Sequence, residues 1–544
     1  MAHEQNLTSA TVHGVKWTTA ATITNAVIQV GYSAIMARLL SPAAFGLVAL
    51  AGVVLRFGTY FAQMGMEQAI IQKPELRATD VRAAFTSSVL LGTLFAGLLA
   101  LSAPLAADLV RQPEVVPVVR VLAAGVFLTG LNATALSLLR RQMRFRTLAL
   151  IEVVSYVLSY AGLGIGLAGQ GFGVWALVGA TLGQGLLLTI LSYAAVRHSV
   201  RLLFSWTAYR PLVAYGSRMS AISFVEFING SLDTVLIGRL LGATALGIYS
   251  RGWMLVGLPV YLLTTSVAKV AFPSFSQVQA DRPKLRRVYL SSVTLVAALV
   301  MPICAGAAVA APEIVGVLLG AKWAAAVPVL RIISAAFALS LVTMFAGIVC
   351  DATATLLPKL VLSLVTMLTL TGLFFGLSRY GLLGVATAVV LGEVVRTILY
   401  AGLLRRLLAV SVPMLLRAYQ PGILAALVVA GATAAVSYGL RLAGTLPLLL
   451  LLLQLLTGAG VLLALAWLAP PAQLREVLGS LLGRLDAGGA AGGWSARMLT
   501  AIARRLAYLG GGRTAPAAGP PARRFAARRP NPAAFSPDPE TELA

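Results

Sequence analysis

The sequence predicts an all-α polytopic membrane protein of about fourteen transmembrane helices. The expected arrangement is two parallel six-helix bundles with pseudo-two-fold symmetry plus two extra C-terminal helices. Composition, the number of long apolar segments and an internal repeat lead to this fold class. Of the 544 residues, 59% are hydrophobic and only 11% are charged. A soluble protein of this length needs far more polar surface, so the bilayer is the expected solvent for most of the chain.

Apolar segments long enough to cross a bilayer, which takes about 20 residues, occur fourteen times in the chain. Each is expected to be a helix, because backbone groups in lipid must be satisfied within the segment. The expected spans are 17–37, 43–66, 83–107, 115–139, 148–169, 172–196, 215–238, 246–270, 288–311, 325–349, 356–378, 382–404, 421–441 and 445–469. The weakest divisions lie inside 148–196 and 356–404, where the breaks are short and rich in glycine.

Two stretches of the chain are similar to each other, and each follows one apolar span and opens the next. They are 37–47, with the sequence ARLLSPAAFGL, and 238–248, with the sequence GRLLGATALGI. Five of the eleven aligned positions are identical, at an offset of 201 residues. Span 1 therefore corresponds to span 7. Because six spans separate them, both halves enter the membrane in the same orientation, as in transporters built from parallel repeats.

Lysine and arginine are distributed unevenly between the connections. Eighteen lie in connections after even-numbered spans, against six in or beside those after odd-numbered spans. This bias predicts a multi-pass membrane protein with both termini in the cytoplasm. The predicted organisation is an N-terminal bundle (1–196), a cytoplasmic linker (197–214), a C-terminal bundle (215–404), spans 13 and 14 (405–469) and a basic cytoplasmic tail (470–544).

Spans 13 and 14 and the tail are expected to stand apart from the two bundles. The spans are almost purely Ala, Leu, Val and Gly, so we expect them to face lipid and to take no part in the chemistry. Segment 494–509 has apolar residues at helical spacing and arginines towards the other side, which predicts an interfacial helix. Gly, Pro, Ala and Arg dominate from 510 onward, and disorder is expected there.

The composition excludes several classes of protein. The net charge of +24 does not indicate nucleic-acid binding, because the basic residues lie in loops between apolar spans. The two cysteines, Cys304 and Cys350, lie in or at the end of spans, and the three histidines have no ligand spacing. We therefore expect neither a disulfide, a metal site nor a cofactor. No removable signal peptide is expected, because the first apolar segment is too long and follows a polar leader.

Charged side chains inside the spans are the candidate functional residues. Each costs about 2.5–3.5 kcal/mol on insertion scales, so such residues usually face a cavity or a partner. The charges that lie in the middle of spans are Arg56, Glu226, Glu393 and Arg396. Candidates nearer the span ends are Arg218, Asp233, Arg251 and Arg331.

Polar residues also form stripes on the first span of each half. Glu226 and Asp233 are seven residues apart in span 7, and Asn25 and Gln29 are four apart in span 1. Each pair lies on nearly one helix face, and two facing stripes would enclose a hydrated cleft. In span 12, Glu393 precedes Arg396 by three residues, so the two side chains are expected to pair. A structural salt bridge and a role in transport explain this pair equally well.

The charge balance of these residues indicates the kind of cargo. Arginine binds phosphate oxygens in bidentate fashion, so an excess of arginine suits an anionic amphiphile such as a lipid diphosphate. The candidate substrate-binding residues are Arg56, Arg218, Arg251, Arg331, Arg396, Asn25 and Gln29. The candidates for coupling to a proton or sodium ion are Glu226, Asp233 and Glu393.

The chain resembles the bacterial polysaccharide transporters, which are lipid-linked oligosaccharide flippases of the multidrug/oligosaccharidyl-lipid/polysaccharide exporter superfamily, and is most similar to the O-antigen and colanic-acid-exporter type. The blocks that carry the resemblance are ARLLSPAAFGLVALA (37–51), MGMEQAIIQ (64–72), SLDTVLIGRLLGATALGIYSRGWML (231–255) and VAFPSFSQVQAD (270–281). The resemblance covers roughly residues 10–410. Asp233 matches an acidic position of the family, whereas Thr234 stands where an asparagine is common.

This resemblance implies two helix bundles that open alternately to each side of the membrane. The expected location is the bacterial inner (plasma) membrane. The expected activity is movement of undecaprenyl-diphosphate-linked repeat units from cytoplasm to periplasm for lipopolysaccharide, capsule or exopolysaccharide synthesis. The expected partners are the lipid-linked oligosaccharide and membrane lipids, with a polysaccharide polymerase or glycosyltransferase as a further candidate.

Other functions remain open at this stage. A multidrug or lipid II exporter of the same superfamily would have the same architecture, and a passive scaffold would not need the polar stripes. A membrane polymerase, ligase or sugar transferase is disfavoured, because the outward connections are short and carry no paired carboxylates or histidines; the longest is about 13 residues, at 312–324. The protein is therefore not expected to be an enzyme.

Overall fold

The structure, a computed structural model, describes residues 2–63, 70–71, 73, 76–203 and 206–468. Within these ranges the side chains of 2–16, 60–63, 206–226, 266 and 269–270 are not described. Every regular element in the described ranges is a helix, which confirms the all-α fold class. The predicted tail, with its interfacial helix at 494–509, lies outside the described residues.

The helices follow one another with short connections. They are α1 (Ala2–Leu39), α2 (Pro42–Gln63), α3 (Ala78–Val110), α4 (Val115–Arg141), α5 (Phe145–Tyr156, continued by Val157–Gly164 and Ile165–Gly169), α6 (Val174–Val196), α7 (Trp206–Gln277), α8 (Arg282–Val309), α9 (Ala311–Leu318), α10 (Ala326–Ala352), α11 (Leu356–Leu377), α12 (Gly381–Leu408), α13 (Val412–Leu442) and α14 (Pro447–Leu468).

Twelve helical stretches in the described part of the chain are long and apolar enough to cross a membrane. Two of them, Phe227–Thr265 and Leu356–Leu408, are interrupted at a glycine of positive φ. These glycines are Gly242, with φ of 86°, and Gly381, with φ of 63°. Only glycine adopts such a backbone without strain, so each marks a break in direction. When the two sides of each break are counted separately, the fourteen spans expected from the sequence result.

A segment of π-helix lies in the middle of α5. Residues Val157–Gly164 form π-helix, whereas the segments before and after are α-helical. Tyr156 stacks on Tyr160 with ring centroids 4.4 Å apart, and Tyr160 meets Tyr32 of α1 edge-on at 4.9 Å. The π-turn therefore lies at the contact between α1 and α5. Such single turns are common at functional sites, and the sequence analysis did not anticipate this one.

The largest apolar core lies in the C-terminal part of the described chain. Its fully buried large side chains include Tyr289 of α8, Trp323 before α10 and Phe345 of α10. Helix α13 packs along α8. It begins at Val412, nine residues before the expected span, and its first turns place Tyr419 in this core. The lipid-facing character expected of span 13 thus applies only to part of α13.

The two similar stretches of sequence pack against each other. A Cβ atom added to Gly46 would overlap the backbone carbonyl of Ala243, and one added to Gly247 would overlap the carbonyl of Pro42. Pro42 and Ala243 are themselves equivalent positions of the repeat. We call these four residues the repeat junction. Their reciprocal contact is what a pseudo-two-fold axis between the halves requires. The proposed bundle boundaries themselves stay a prediction.

The carbonyl end of α1 is capped by the other half of the chain. Lys322 Nζ donates to the carbonyl oxygens of Arg38 at 2.9 Å and Leu40 at 2.7 Å, and Trp323 Nε1 donates to that of Ala37 at 2.8 Å. The last carbonyl groups of a helix have no partner within it, so these donors satisfy groups that would otherwise be orphaned. The loop before α10 therefore holds the end of α1.

Two equivalent arginines beside the repeat junction also cross between the halves. Arg38 donates through Nη2 to the carbonyl of Val317 at 2.7 Å, and its counterpart Arg239 donates to the carbonyl of Leu109. Val317 lies near the end of α9, and Leu109 lies near the end of α3. The face of the protein that carries the repeat junction is thus closed by bonds running in both directions.

Candidate functional site

A polar cavity of about 520 Å³ lies among α7, α10, α11 and α12. Its charged lining residues are Asp233, Asp351, Lys359, Glu393 and Arg396. Asp351 and Lys359 form an ion pair of 2.7 Å, and both are partly exposed. The structure therefore brings three of the predicted candidates, Asp233, Glu393 and Arg396, into one cavity.

Asp233 is held by neutral donors. The Thr234 backbone N–H donates to Asp233 Oδ1 at 2.6 Å, and the Thr234 hydroxyl donates to the same oxygen at 3.2 Å. Tyr249 donates its hydroxyl to Asp233 Oδ2 at 3.1 Å. Among the described residues no lysine or arginine forms an ion pair with this carboxylate. A half-buried carboxylate that accepts only neutral hydrogen bonds retains the capacity to take up a cation or a proton.

Glu393 is paired within its own helix. Arg396 Nη2 lies 2.8 Å from Glu393 Oε2, which is the i,i+3 pairing expected from the sequence. Arg396 also donates to Thr343 Oγ1 of α10 at 2.7 Å. This ion pair therefore links α12 to α10 across the cavity. Of the three carboxylates in the cavity, Glu393 and Asp351 have cationic partners, and Asp233 has none among the described residues.

The prediction of two facing stripes required the polar face of α7 to turn towards α1. In the structure that face does not turn towards α1. Asn229 and Asp233 line the cavity in the C-terminal part of the chain, and Asn229 donates to the carbonyl of Ser363 on α11 at 3.4 Å. Because α2 packs along α7 on another side, the polar face points towards α10–α12. Asn25 and Gln29 of α1 are partly buried elsewhere, and Asn25 Oδ1 has no hydrogen-bond partner within the described ranges.

The predicted arginines are not gathered into one cleft. Arg56 is exposed on α2, although its charge acts on Asp233. Arg251 lies beyond the break of α7, where Nη1 donates to Ser33 at 3.1 Å and the guanidinium lies 4.6 Å from the Phe45 ring centroid. Arg331 lines a different cleft, beside α13. Helical phase in the sequence could not show which surface each arginine faces, because each of them lies beside a different neighbouring helix. The side chains of Arg218 and Glu226 lie outside the described residues.

Several residues of this region were missed in the sequence analysis. Tyr249 bonds to Asp233 from the far side of Gly242, and Thr343 bonds to Arg396 from another helix. Tyr419 of α13 accepts from the Val342 backbone N–H at 3.0 Å and donates to the carbonyl of Leu339 at 3.3 Å. Nothing in the local sequence marks these residues, because each acts across a long separation in the chain.

Comparison with protein families gives one match that covers more than half of the chain. The family described as "Polysaccharide biosynthesis protein" matches residues 35–328, a range that includes both similar stretches and Asp233.

Two curated relatives extend this comparison. The teichuronic acid biosynthesis protein TuaB of Bacillus subtilis is 27% identical over 60% of this chain and 68% of its own length. The succinoglycan biosynthesis transport protein ExoT of Rhizobium meliloti is 30% identical over 55% of this chain and 60% of its own length.

A solved structure of the lipid II flippase MurJ in an inward closed conformation shares the fold. It superposes with a TM-score of 0.65 over 84% of this chain and 98% of the MurJ chain, at 13% identity. At this identity the likeness concerns the arrangement of helices alone. The helices of this chain are therefore arranged as in that structure.

Proposed function

We infer that this chain, which belongs to the polysaccharide biosynthesis protein family, is a flippase for lipid-linked oligosaccharides. The cargo is an undecaprenyl-diphosphate-linked repeat unit, moved across the plasma membrane for surface polysaccharide synthesis. The observation that carries this proposal is the extent of the match, because residues 35–328 contain both members of the repeat. Alternating access requires the two halves of the repeat to move relative to each other, and the matched region contains the similar stretch of each half.

The second element of the proposal is coupling to a cation through Asp233. This carboxylate lies half-buried in a polar cavity and is bonded only to Thr234 and Tyr249 among the described residues. Glu393 is already neutralised by Arg396 and therefore positions α10 rather than carrying the coupling ion. Glu226 stays a candidate. A proton or a sodium ion at Asp233 would neutralise a half-buried charge that has no ion-pair partner among the described residues.

The arginines supply the recognition of the diphosphate. Arg56 and Arg251 lie on the elements next to the repeat junction, with Asn25 and Gln29 on the neighbouring α1. Arg251 lies near the tyrosines of α1 and α5 and has no acidic partner among the described residues, so a phosphate oxygen is a suitable counter-charge. Arg218 stays a candidate of the same kind. Arg396 is already paired with Glu393 and belongs to the cavity instead.

Liposome translocation tests the activity. Purified protein is reconstituted, and flipping of a fluorescent undecaprenyl-diphosphate oligosaccharide is followed by quenching of the exposed label, with and without proton or sodium gradients. We expect protein-dependent flipping that one of the gradients accelerates. Lipid II and a cationic drug serve as competing cargoes. Transport of either of these, with no transport of oligosaccharides from several polysaccharides, would overturn the proposal.

Two matched variants separate coupling from transport. Asp233→Asn is expected to abolish acceleration by the gradient while protein-dependent equilibration of the label persists. Glu152→Gln alters another acidic residue within a membrane helix, away from the cavity, and is expected to retain acceleration. Acceleration that survives in Asp233→Asn would contradict the coupling role and leave the flippase proposal intact.

Orientation and partners complete the proposal. Both termini are placed in the cytoplasm by the distribution of lysine and arginine, and alkaline phosphatase fusions after Leu40 and Leu203 test this by their opposite activities. A polysaccharide polymerase or glycosyltransferase is the proposed protein partner. Copurification of the native membrane complex after mild crosslinking tests that association, and recovery of the flippase alone would contradict it.

A further inference from the structure

A cleft of about 710 Å³ opens between α13 and the ends of α8 and α10, away from the polar cavity. It is lined by Ala308, Val309, Arg331, Ala434, Ser437, Tyr438, Arg441 and Leu442. A second cleft, of about 770 Å³, adjoins it and shares Arg441. The residues of the first cleft come from the last turns of α8 and α13 and the second turn of α10, so they lie at one level of the helix stack.

Arginine dominates the charge of the two clefts. Arg331 and Arg441 line the first cleft, and Arg38 and Arg441 line the second. The one acidic residue among the residues that line either cleft is Glu313, whose side chain is only 7% exposed. Glu313 Oε1 pairs with Arg441 at 2.7 Å, and Glu313 Oε2 accepts from Gln454 at 3.1 Å. The rim therefore carries a net positive charge, because three arginines stand against one carboxylate that is already paired.

Both arginines of the first cleft have donors to spare. Arg331 uses Nε for the carbonyl of Ala308 at 3.3 Å, and within the described chain its terminal nitrogens donate to nothing. Arg441 directs Nε and Nη2 to Glu313, and 46% of its side chain is exposed. A guanidinium carries five N–H donors, so each arginine can still bind an anion. Their donors suit the oxygens of a phosphate group.

The walls of the cleft are apolar. Ala308 and Val309 form one side, and Ala434 and Leu442 form the other. Leu442 is 74% exposed and Tyr438 is 71% exposed, and both belong to a helix that is apolar enough to span the membrane. A cationic rim above apolar walls matches a phospholipid, which carries its phosphate at the membrane surface and its acyl chains below it.

We propose that this cleft is a binding site for an anionic membrane phospholipid. The phosphate lies between Arg331 and Arg441, and an acyl chain runs along the wall formed by α13. The network of Glu313, Gln454 and Ser437 fixes Arg441 and holds α13 and α14 against α9, because Gln454 also donates to Ser437 at 2.7 Å. The two C-terminal helices thereby take part in forming the lipid site.

Arg120 provides a control within the same chain. It is the sixth residue of α4, as Arg331 is the sixth residue of α10, and it is exposed. The N-terminal half has no counterpart of α13 and α14. If arginine at this depth merely extends to any lipid headgroup, Arg120 and Arg331 should behave alike. If the cleft is a site, only Arg331 should matter.

Native mass spectrometry and thermal unfolding test the proposal on the full chain in detergent, with added phosphatidylglycerol, phosphatidylcholine or inorganic phosphate. We expect phosphatidylglycerol to remain bound and to raise the unfolding temperature, and phosphatidylcholine and phosphate to do neither. Arg331→Gln should lower the affinity for phosphatidylglycerol about tenfold, the effect of one lost charge-assisted hydrogen-bond pair, whereas Arg120→Gln should leave it unchanged.

The Arg441 side of the cleft needs a paired variant. Arg441→Gln alone leaves the Glu313 carboxylate buried without a cation, so the double variant Glu313→Gln, Arg441→Gln is used, and it should also lose phosphatidylglycerol affinity. Equal effects of the Arg120 and Arg331 variants would overturn the proposal. So would equal stabilisation by inorganic phosphate, or displacement of phosphatidylglycerol by undecaprenyl phosphate at equimolar amounts, which would assign the cleft to the polyprenyl carrier instead.

Discussion

Gly46 and Gly247 make the same contact in opposite directions. Each lies against the carbonyl group of the sixth residue of the other repeat stretch, Ala243 for Gly46 and Pro42 for Gly247. A β-carbon at either position would overlap a backbone oxygen, which cannot move as the tip of a side chain can. The closed state of this face therefore depends on two glycines that the sequence places 201 residues apart.

Alanine at either glycine is expected to shift the protein away from the closed state. In Gly46→Ala and Gly247→Ala, the added methyl group must separate the repeat junction, whereas Gly52→Ala adds a methyl group where no atom lies within 4 Å. A cysteine pair that replaces Ser41 and Thr244 reports the separation through its crosslinking yield. The yield should fall in the first two variants and stay unchanged in the third. Equal yields in all three would contradict the contact.

Removal of the amine that caps α1 is expected to loosen the same face. Lys322→Met deletes two hydrogen bonds to the carbonyls of Arg38 and Leu40, and because the side chain is exposed, water replaces part of what is lost. We expect a loss of about 1 kcal/mol, seen as a lower unfolding temperature and faster hydrogen exchange in residues 35–40. Lys359→Met, which alters a lysine outside this face, should leave exchange at 35–40 unchanged.

The segment after α6, residues 197–203, is expected to become less stably folded at low pH. His198 packs between Phe85 and Tyr193, and burial lowers the pKa of its imidazole below the ordinary value of 6.5, with the Ser199 carbonyl opposing the shift. The folded form then binds protons less readily than the unfolded form. Its contribution to stability is present above pH 6.5 and is lost as the pH falls. Protection of residues 197–203 against hydrogen exchange, corrected for the intrinsic exchange rate at each pH, should fall between pH 7 and 5.

A histidine-free variant is the control for that pH effect. His198→Phe keeps the aromatic contacts with Phe85 and Tyr193 and removes the titrating group. Exchange in the linker should then change with pH only through the intrinsic chemistry of the amides. A fall in protection that persists in His198→Phe would assign the pH dependence to another group.

The hydroxyl of Tyr419 is expected to stabilise the fold through α10. Tyr419→Phe removes the bonds to Val342 and Leu339 at a buried site, which should lower the unfolding free energy by about 1–2 kcal/mol. Tyr438→Phe, on the exposed side of the same helix, should change it by less than about 0.5 kcal/mol. Unfolding temperatures measured in one detergent compare the two. A larger effect for Tyr438→Phe would show that α13 is held from its outer side.

Patterns that are local in sequence predicted much of the structure. Hydropathy gave the spans, glycine-rich breaks at Gly173 and Gly381 marked real changes of direction, and the spacing of Glu393 and Arg396 predicted a pair that forms. The repeat predicted that the halves correspond, whereas the contact between the two similar stretches was found only in the structure. These features depend on neighbouring residues in the chain or on contact with the bilayer, and both restrict which residue types occur at a position.

What escaped prediction depends on contacts between distant residues. The rotation of α7 is set by packing against α2 and α10, so Asp233 faces a cavity where α1 was expected. Arg251 and Arg331 lie at comparable depths yet on different surfaces. The bond from Tyr249 to Asp233 spans the break at Gly242, and hydropathy carries no information about such a partner.

The break in α7 has a thermodynamic consequence. Tyr249 and Asp233 lie on opposite sides of Gly242, and their hydrogen bond of 3.1 Å closes the angle between the two parts of the helix. Bending at Gly242 stretches that bond, and a proton or cation on the carboxylate competes for the same oxygen. If the proposed proton or cation binds Asp233, its occupancy and the angle of α7 are coupled. Fixing either one, by a ligand or by the membrane voltage, then shifts the preferred value of the other.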